Sequence, residues 1–489
     1  MISTALVWGA IGLFTLIGLV VVILAARENS GTASDYYLGG ASLGGLLSGL
    51  SYAATTYSAF MLVVLTGLTY RGGIGALGFE LVYFGGLSLL VVFGPRFWLA
   101  GKRWGFISPA EMLGGRYGSP AVAKVTAGVS LLFLLPYCAT QMAGIGLLLS
   151  GVTGGGISLF AAVMAGAALT LFWTLFGGLR SVAWTDAGQA VVMLVSGLVA
   201  VVLAIGALGG FGSFVDALVT ENAAWLDVPG PGLWSLPTFL AMSVPWFFFA
   251  ISNPQVSQRL FMLRDLGAMR RMILWVLGFG FIFTLIAVIW GFAALRLQPG
   301  LEQPALATPT LLSSGILPVW VSVFLILGIL AAAVSTLDSI ALTIGSLVSR
   351  DLLPKGLSDR TQILWGRVVI VGVIVFASLF ALQQAAIVEQ LAALSAVGLM
   401  VTVAPIVGAF FWRRATAAGA IAAMLGAAAL ALWLVMGQGI GVYNPVLAFS
   451  VLGASVGLFV IVSLLTRPGP AALDFQAELA PDLVRHNVW

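Results

Sequence analysis

The chain is a succession of long apolar segments joined by short polar connections. Thirteen hydrophobic stretches follow one another along its 489 residues. Each is long enough to cross a bilayer as a helix, which takes about 20 apolar residues. This pattern predicts an all-α polytopic membrane protein. The predicted spans are 5–26, 43–70, 76–99, 119–150, 156–177, 181–208, 236–257, 268–295, 312–347, 362–384, 388–412, 415–437 and 445–466.

The few charged residues are distributed unevenly between the two sides of the predicted membrane protein. Only 8% of the residues are charged and 61% are hydrophobic, whereas a soluble domain carries about 25% charged residues. With the N-terminus outside, the cytoplasmic connections hold 19 of the 21 Lys and Arg residues, and only Arg71 and Arg296 lie outside. This asymmetry follows the positive-inside rule. We therefore expect a multi-pass plasma-membrane protein with its C-terminus in the cytoplasm.

Composition and motifs argue against several other classes of protein. The basic pI of 9.4 reflects membrane orientation, because the cations do not cluster into a patch that could bind nucleic acid. A single cysteine, Cys138, excludes an internal disulfide, and a single histidine, His486, excludes a histidine-built metal site or triad. The glycine-rich motifs at 73–78 and 40–44 lack the strand and the base that their enzymatic counterparts require. We therefore expect that the protein is not an enzyme.

Two of the predicted spans contain polar interruptions. The second span carries Ser or Thr at four of the eight positions 51–58, and the seventh contains the disruption 243–246 followed by 250–255. Proline removes a backbone donor in the seventh, and an unwound backbone frees carbonyls that can bind a small cation. The alternative for the second span is an intact helix whose hydroxyls bond to the preceding turn. Two broken spans, five apart in helix order, predict an inverted repeat with a central binding site.

The ninth span carries a stripe of small and hydroxyl-bearing residues. They are separated by three or four positions and therefore share one helix face. Neutral hydroxyls and carbonyls suit a monovalent cation that must bind and leave, whereas several carboxylates would suit calcium. Buried carboxylates are costly in a membrane and need a reason; besides the stripe, these are Glu80, Asp186 and Asp338. The stripe consists of Ala332, Ser335, Thr336, Ser339 and Thr343.

Five short sequence landmarks follow one another along the chain, at 34–40, 54–58, 177–189, Gln258-Arg259 and 335–339. In this order and in a thirteen-span chain, these landmarks resemble those of the sodium:solute symporter family, which includes sodium–glucose, sodium–proline, pantothenate and monocarboxylate transporters. The resemblance implies a leucine-transporter-type inverted repeat of five plus five helices, with extra helices at both ends.

The resemblance also implies a division of the chain. The expected parts are an extra N-terminal helix with its connector at 1–42, a first repeat at 43–208, an extracellular loop at 209–235, a second repeat at 236–412, two additional helices at 413–467 and a cytoplasmic tail at 468–489.

The same resemblance implies where sodium binds. The main site would use the backbone carbonyls of Ala54, Tyr57 and Ala332 and the hydroxyls of Ser335 and Thr336. Some members bind a second sodium, and here that site would use Asp186, Ser335, Asp338 and Ser339. Thr56 stands where certain amino-acid-transporting members carry an Asp, which argues against copying the proline-transporter mechanism whole.

By this analogy a small organic solute lies at mid-bilayer beside the sodium. No Lys or Arg is expected at that depth, so a carboxylate solute would depend on helix N-termini and hydroxyls, whereas Glu80 favours hydroxyls or an amine. Monocarboxylates, amino acids, sugars and vitamin-like solutes therefore stay open. Tyr137 and Gln141 could equally form a helix–helix hydrogen bond. The candidate solute contacts are Ser58, Glu80, Tyr137, Gln141, Trp246, Asn253 and Ser395.

The expected function is sodium-coupled import of that solute by alternating access, with sodium as the coupling ion and lipid as the surrounding partner. A proton-coupled transporter of the same architecture is the alternative, with Asp186, Asp338 or Glu80 as the proton carrier. A transporter-like membrane sensor or channel is a third reading. The oligomeric state is left open by the sequence.

Overall fold

The computed structural model describes residues 1–27, 31–354, 356–384 and 388–488, and in these ranges the chain is helical without a β-strand. Eleven described helices are long and apolar enough to cross a membrane, and two further helices, bent by 50° at a short break, make a twelfth crossing. The predicted all-α membrane architecture is therefore confirmed. Lys355, one of the cations assigned to the cytoplasmic side, lies outside the described residues.

The principal helices are labelled here in chain order. The first half contains α1 (Thr4–Ala26), α2 (Gly45–Thr56), α3 (Thr66–Gly72), α4 (Gly75–Gly86), α5 (Leu89–Trp104), α6 (Pro120–Val152) and α7 (Leu159–Ala207). The second half contains α8 (Leu236–Phe247), α9 (Leu266–Leu297), α10 (Val319–Ser346), α11 (Asp359–Gln384), α12 (Val388–Leu399), α13 (Val403–Phe411), α14 (Ala417–Leu432), α15 (Pro445–Leu465) and α16 (Phe475–Arg485).

Helix α7 contains two predicted spans. Its 49 residues would measure about 74 Å at the rise of an α-helix, more than twice the roughly 30 Å of a bilayer core. The helix is interrupted at Gly178, whose φ of 60° and ψ of −164° are not helical. Gly178 lies between the predicted spans 156–177 and 181–208. Dividing α7 there and counting the bent pair once gives thirteen crossings in the described chain, in agreement with the sequence pattern.

The seventh span is broken, but not where the first proline predicts. Pro245 lies within α8, and the interruption comes at Asn253, which has extended backbone angles (φ −88°, ψ 111°). Pro254 explains the position, because a proline disfavours the helical conformation of the residue before it. A proline inside a membrane helix is tolerated where neighbouring groups satisfy the freed backbone. Residues 243–246 are helical and the first interruption follows closely after them, at Phe248, while the disruption expected at 250–255 is confirmed at Asn253.

The predicted tail contains an amphipathic helix, α16. It packs against the C-terminal end of α5 and the residues after α13, which the sequence assigns to the cytoplasmic side. Phe475 is buried and stacks on Trp104 of α5, with 4.9 Å between ring centroids. Arg103 of α5 pairs with Glu478 at 3.4 Å, and Arg413, just after α13, pairs with Asp474 at 3.4 Å. The tail is thus attached to both halves of the chain.

We expect Gly178→Ala to destabilise the protein. A Cβ atom at this position would lie 2.6 Å from the carbonyl oxygen of Tyr36, and the backbone conformation strongly favours glycine. Holding a non-glycine residue in this region costs on the order of 1–3 kcal/mol, before the clash is counted. Thermal unfolding of the detergent-purified protein should show a lowered midpoint.

Gly188→Ala is the matched control, since Gly188 lies in the same helix and a Cβ there meets nothing within 4 Å. It should be neutral, or stabilise by about 0.5–1 kcal/mol through helix propensity. Equal unfolding midpoints for the two variants would contradict the role given to Gly178.

Candidate ion and solute site

The predicted break in the second span is present. Helix α2 ends at Thr56, and the chain becomes helical again at Ala59. Tyr57 leaves the helical conformation (φ −95°, ψ 87°), although its N–H still donates to the carbonyl of Ala53 at 2.8 Å. Ser58 accepts a hydrogen bond from the backbone N–H of Phe60 at 3.2 Å, which shapes the turn. The alternative of a continuous helix is therefore wrong.

Helix α10 places two hydroxyls against the last carbonyls of α2. The Ser335 hydroxyl lies 2.9 Å from the carbonyl oxygen of Ala54 and 3.1 Å from that of Ala332, and it can donate its one hydrogen to either. The Thr336 hydroxyl lies 3.2 Å from the carbonyl oxygen of Thr55 and 3.1 Å from that of Ala332, with the same choice. All five residues are buried. The structure thus brings together Ala54, Ala332, Ser335 and Thr336 of the predicted main sodium site, and Tyr57 lies at the adjacent break.

A buried ion pair occupies the region of the predicted second sodium site. Arg259 Nη2 lies 3.0 Å from Asp186 Oδ2, and the same nitrogen also contacts the hydroxyl of Ser339. Ser51 donates to Asp186 at 2.7 Å and accepts from Arg259 Nη1 at 2.5 Å. Ser339 in turn hydrogen-bonds Thr55 at 2.7 Å. The guanidinium therefore lies among the side chains predicted to hold a second cation.

One arginine that the sequence places outside the spans is buried in this polar core. Arg259 is 1% exposed. The sequence places it in a cytoplasmic connection after span 236–257, but the chain continues past the break at Asn253 through the turns Pro254–Ser257 and Gln258–Phe261, which lie within the membrane-spanning segment Leu236–Phe261. Asp338 is buried beside the pair and interacts electrostatically with both Asp186 and Arg259.

The predicted solute contacts are all buried, and the structure joins some of them. Gln141 of α6 donates to the hydroxyl of Ser58 at 3.3 Å, which is the helix–helix hydrogen bond that the sequence leaves open as an alternative. Trp246 and Tyr137 both face Phe249, with ring centroids at 5.5 Å and 6.4 Å. Glu80 interacts electrostatically with Tyr137.

Two candidates are engaged elsewhere. Ser395 donates to the backbone carbonyl of Phe133 at 2.6 Å, and the side-chain oxygen of Asn253 accepts from Ser252 at 3.3 Å. Neither hydrogen-bonds another candidate in the described part of the chain. Their contacts are those of residues that position helices.

Three residues of the polar core were missed as site residues, namely Ser51, Thr55 and Arg259. The sequence contains a signal for the first two: Ser51 and Thr55 are four positions apart, so they share one helix face, and they directly precede the break. For Arg259 the only sequence signal was its position directly after a disrupted span. Its partner could not be inferred without knowing how far the buried segment continues past the break.

We expect Arg259→Gln and Asp186→Asn to destabilise the protein strongly as single substitutions and much less when combined. Each single change leaves one buried charge without its partner, which costs about 3–5 kcal/mol. The double variant removes both charges, so a double-mutant cycle in thermal unfolding should show coupling well above 0.5 kcal/mol.

The control is Arg264→Gln, which breaks the ion pair between Arg264 and Asp265. Their side chains are 56% and 51% exposed and 2.9 Å apart. An exposed pair contributes about 0–1 kcal/mol, so this variant should unfold like the wild type. Additive losses from the two core substitutions would contradict the coupling.

The sequence of the chain matches a known protein family and several of its members. The model of the sodium:solute symporter family matches residues 36–427. The sodium/proline symporter of Escherichia coli strain K12 is 27% identical over 483 residues, covering 94% of this chain and 93% of that protein. The osmoregulated proline transporter of Bacillus subtilis strain 168 is 26% identical over 461 residues, covering 90% and 91%.

Among solved structures, a Na⁺-coupled sialic acid symporter in a substrate-bound, outward-open state superposes with a TM-score of 0.77 at 18% identity, covering 95% of this chain and 98% of that one. The fold is thus of the leucine-transporter type. Family and fold alike are those of membrane transporters. Because the family model spans most of its length, this multi-pass membrane chain belongs to the sodium:solute symporter family.

Proposed function

We propose that this protein imports a small organic solute together with sodium by alternating access. The observation that carries the proposal is the cluster of hydroxyl and carbonyl oxygens between α2 and α10. Oxygen atoms are the ligands that hard cations prefer. A neutral set suits an ion that must be released again, because a carboxylate would hold it more tightly.

The main sodium site of this proposal consists of the carbonyls of Ala54, Tyr57 and Ala332 and the hydroxyls of Ser335 and Thr336. A cation bound there holds the broken α2 against α10 and favours the conformation that binds the solute. The affinities for ion and solute are then coupled reciprocally. A membrane potential contributes about 2.3 kcal/mol per charge for each 100 mV to inward transport.

A single sodium per cycle fits the arrangement better than two. A cation held by Asp186, Ser335, Asp338 and Ser339 would have to displace the guanidinium of Arg259 from Asp186 and Ser339. Arg259 already supplies the positive charge that balances Asp186. This pair is therefore proposed to replace the second ion.

The solute is proposed to bind beside the break, near Ser58, Glu80, Tyr137, Gln141 and Trp246. Two relatives are named as proline transporters and the structural neighbour as a sialic acid symporter, so small organic solutes are common to them. The inverted repeats are proposed to comprise 43–208 and 236–412, with the N-terminus outside and the C-terminus in the cytoplasm, as the charge distribution indicates.

We expect Ser335→Ala combined with Thr336→Ala to abolish sodium-stimulated uptake while leaving the protein in the membrane. The double variant removes two oxygen ligands of the ion. Each polar contact to a charged group contributes about 1.5–3 kcal/mol, so the affinity for sodium should fall by at least about a hundredfold. Radiolabelled solute uptake into proteoliposomes, with sodium or potassium outside, measures this directly.

Ser322→Ala is the matched control, since Ser322 is a buried serine of the same helix, thirteen positions away from Ser335. It should transport like the wild type. Sodium dependence that survives in the double variant would contradict the site. Uptake that ignores sodium and follows a pH gradient would instead support the proton-coupled alternative, for which the buried Glu80 and Asp338 are the available carriers.

A further inference from the structure

Glu80 of α4 is a buried carboxylate without a hydrogen-bond partner. Its side chain is 1% exposed, and neither carboxylate oxygen has a donor among the described residues. No Lys or Arg side chain of the described residues donates a hydrogen bond to it. A buried ion without a counter-charge costs several kcal/mol. An ionised Glu80 therefore needs a positively charged partner that the described residues do not supply.

An aromatic cluster lies on the same side of α4 as this carboxylate. Tyr83 follows Glu80 by three positions in α4, so the two side chains share a helix face. The ring of Tyr83 lies 5.3 Å from that of Trp246 and 5.3 Å from that of Phe249, measured between centroids. The negative faces of such rings attract cations, most strongly in tryptophan and tyrosine. Carboxylate and rings together form an environment that favours a positive charge.

The chemistry of the cluster distinguishes between possible cations. Sodium prefers several oxygen ligands, and the Glu80 cluster offers one carboxylate among ring faces, whereas α2 and α10 offer four oxygens. An organic ammonium group suits rings and a carboxylate at once, because its alkyl surface packs on the ring faces while its charge is paired. The hydroxyls of a neutral polyhydroxylated solute could donate hydrogen bonds to Glu80, but they would leave an ionised carboxylate without a counter-charge.

We infer that the transported solute carries a positively charged nitrogen, which binds between Glu80 and the rings of Tyr83, Trp246 and Phe249. This rests on the proposed function, in which Glu80 and Trp246 face the solute. Of the four open solute classes it favours amino acids, and it adds amines to them. A carboxylate on the same molecule would be placed away from Glu80, where Ser58 and Gln141 supply polar atoms.

The test uses pairs of carboxylates in which one member has a positively charged nitrogen where the other has an uncharged oxygen or carbon. L-proline is compared with tetrahydrofuran-2-carboxylate, and trimethylglycine with 3,3-dimethylbutanoate, alongside a panel of primary, secondary and quaternary amines. We expect at least one solute with the charged nitrogen to stabilise the purified protein in sodium. It should bind at least about tenfold more tightly than the counterpart in which that atom is uncharged.

Glu80→Gln should abolish this preference by lowering the affinity for the cationic member at least about tenfold. It should leave the unfolding midpoint without solute unchanged or raised, because the substitution removes a buried charge. A residue needed only for folding would lower that midpoint. Glu221→Gln is the control: Glu221 is an exposed carboxylate paired with Arg296, and its loss should not change solute affinity.

Three outcomes overturn the inference: no cationic solute binds, the uncharged counterparts bind equally well, or Glu80→Gln retains the full preference. Its failure is distinct from failure of the proposed function. Cation-selective binding that is the same in sodium and potassium would overturn sodium coupling only. Sodium-dependent binding of neutral solutes alone would overturn only the recognition by Glu80.

Discussion

Inside a bilayer every backbone carbonyl needs a hydrogen-bond donor, and the break in α2 leaves three carbonyls without one from their own helix. The side chains of other helices supply the donors. Ser335 can donate to the carbonyl of Ala54, Thr336 to that of Thr55, and Tyr83 to that of Thr56 at 3.1 Å. The unwound segment is therefore stable only while α10 and α4 lie against it. Its conformation depends on the positions of these two helices.

The ion pair of Asp186 and Arg259 holds together the helices that pack around this break. Apolar side chains give membrane helices little preference for one another over lipid, so polar contacts determine how the helices are arranged. Here one pair connects α7 with the turn after α8, and its hydroxyl partners, Ser51 and Ser339, lie on α2 and α10. Because the two charges balance, the pair provides rigidity without repelling a cation at the neighbouring oxygens.

The parts that could be predicted from the sequence are those that depend on local patterns. The spans follow from hydropathy, and the hydroxyls of α10 are recognised because spacing alone places them on one face. Hydropathy assigns charged residues to the ends of spans, however, and this misplaced Arg259, whose chain segment stays buried in the core beyond the break at Asn253. The partners of Ser395 and Gln141 could not be predicted either, since both contacts join distant parts of the chain.

The same tertiary contacts explain how a solute site and an ion site can act on each other without touching. Tyr83 belongs to the aromatic cluster around Glu80, and its hydroxyl holds the carbonyl of Thr56. The two preceding carbonyls face the hydroxyls of α10. A solute that displaces the ring of Tyr83 therefore acts on the end of the same short segment whose other carbonyls would hold the ion. Coupling requires only that this segment has two arrangements and that both ligands favour one of them.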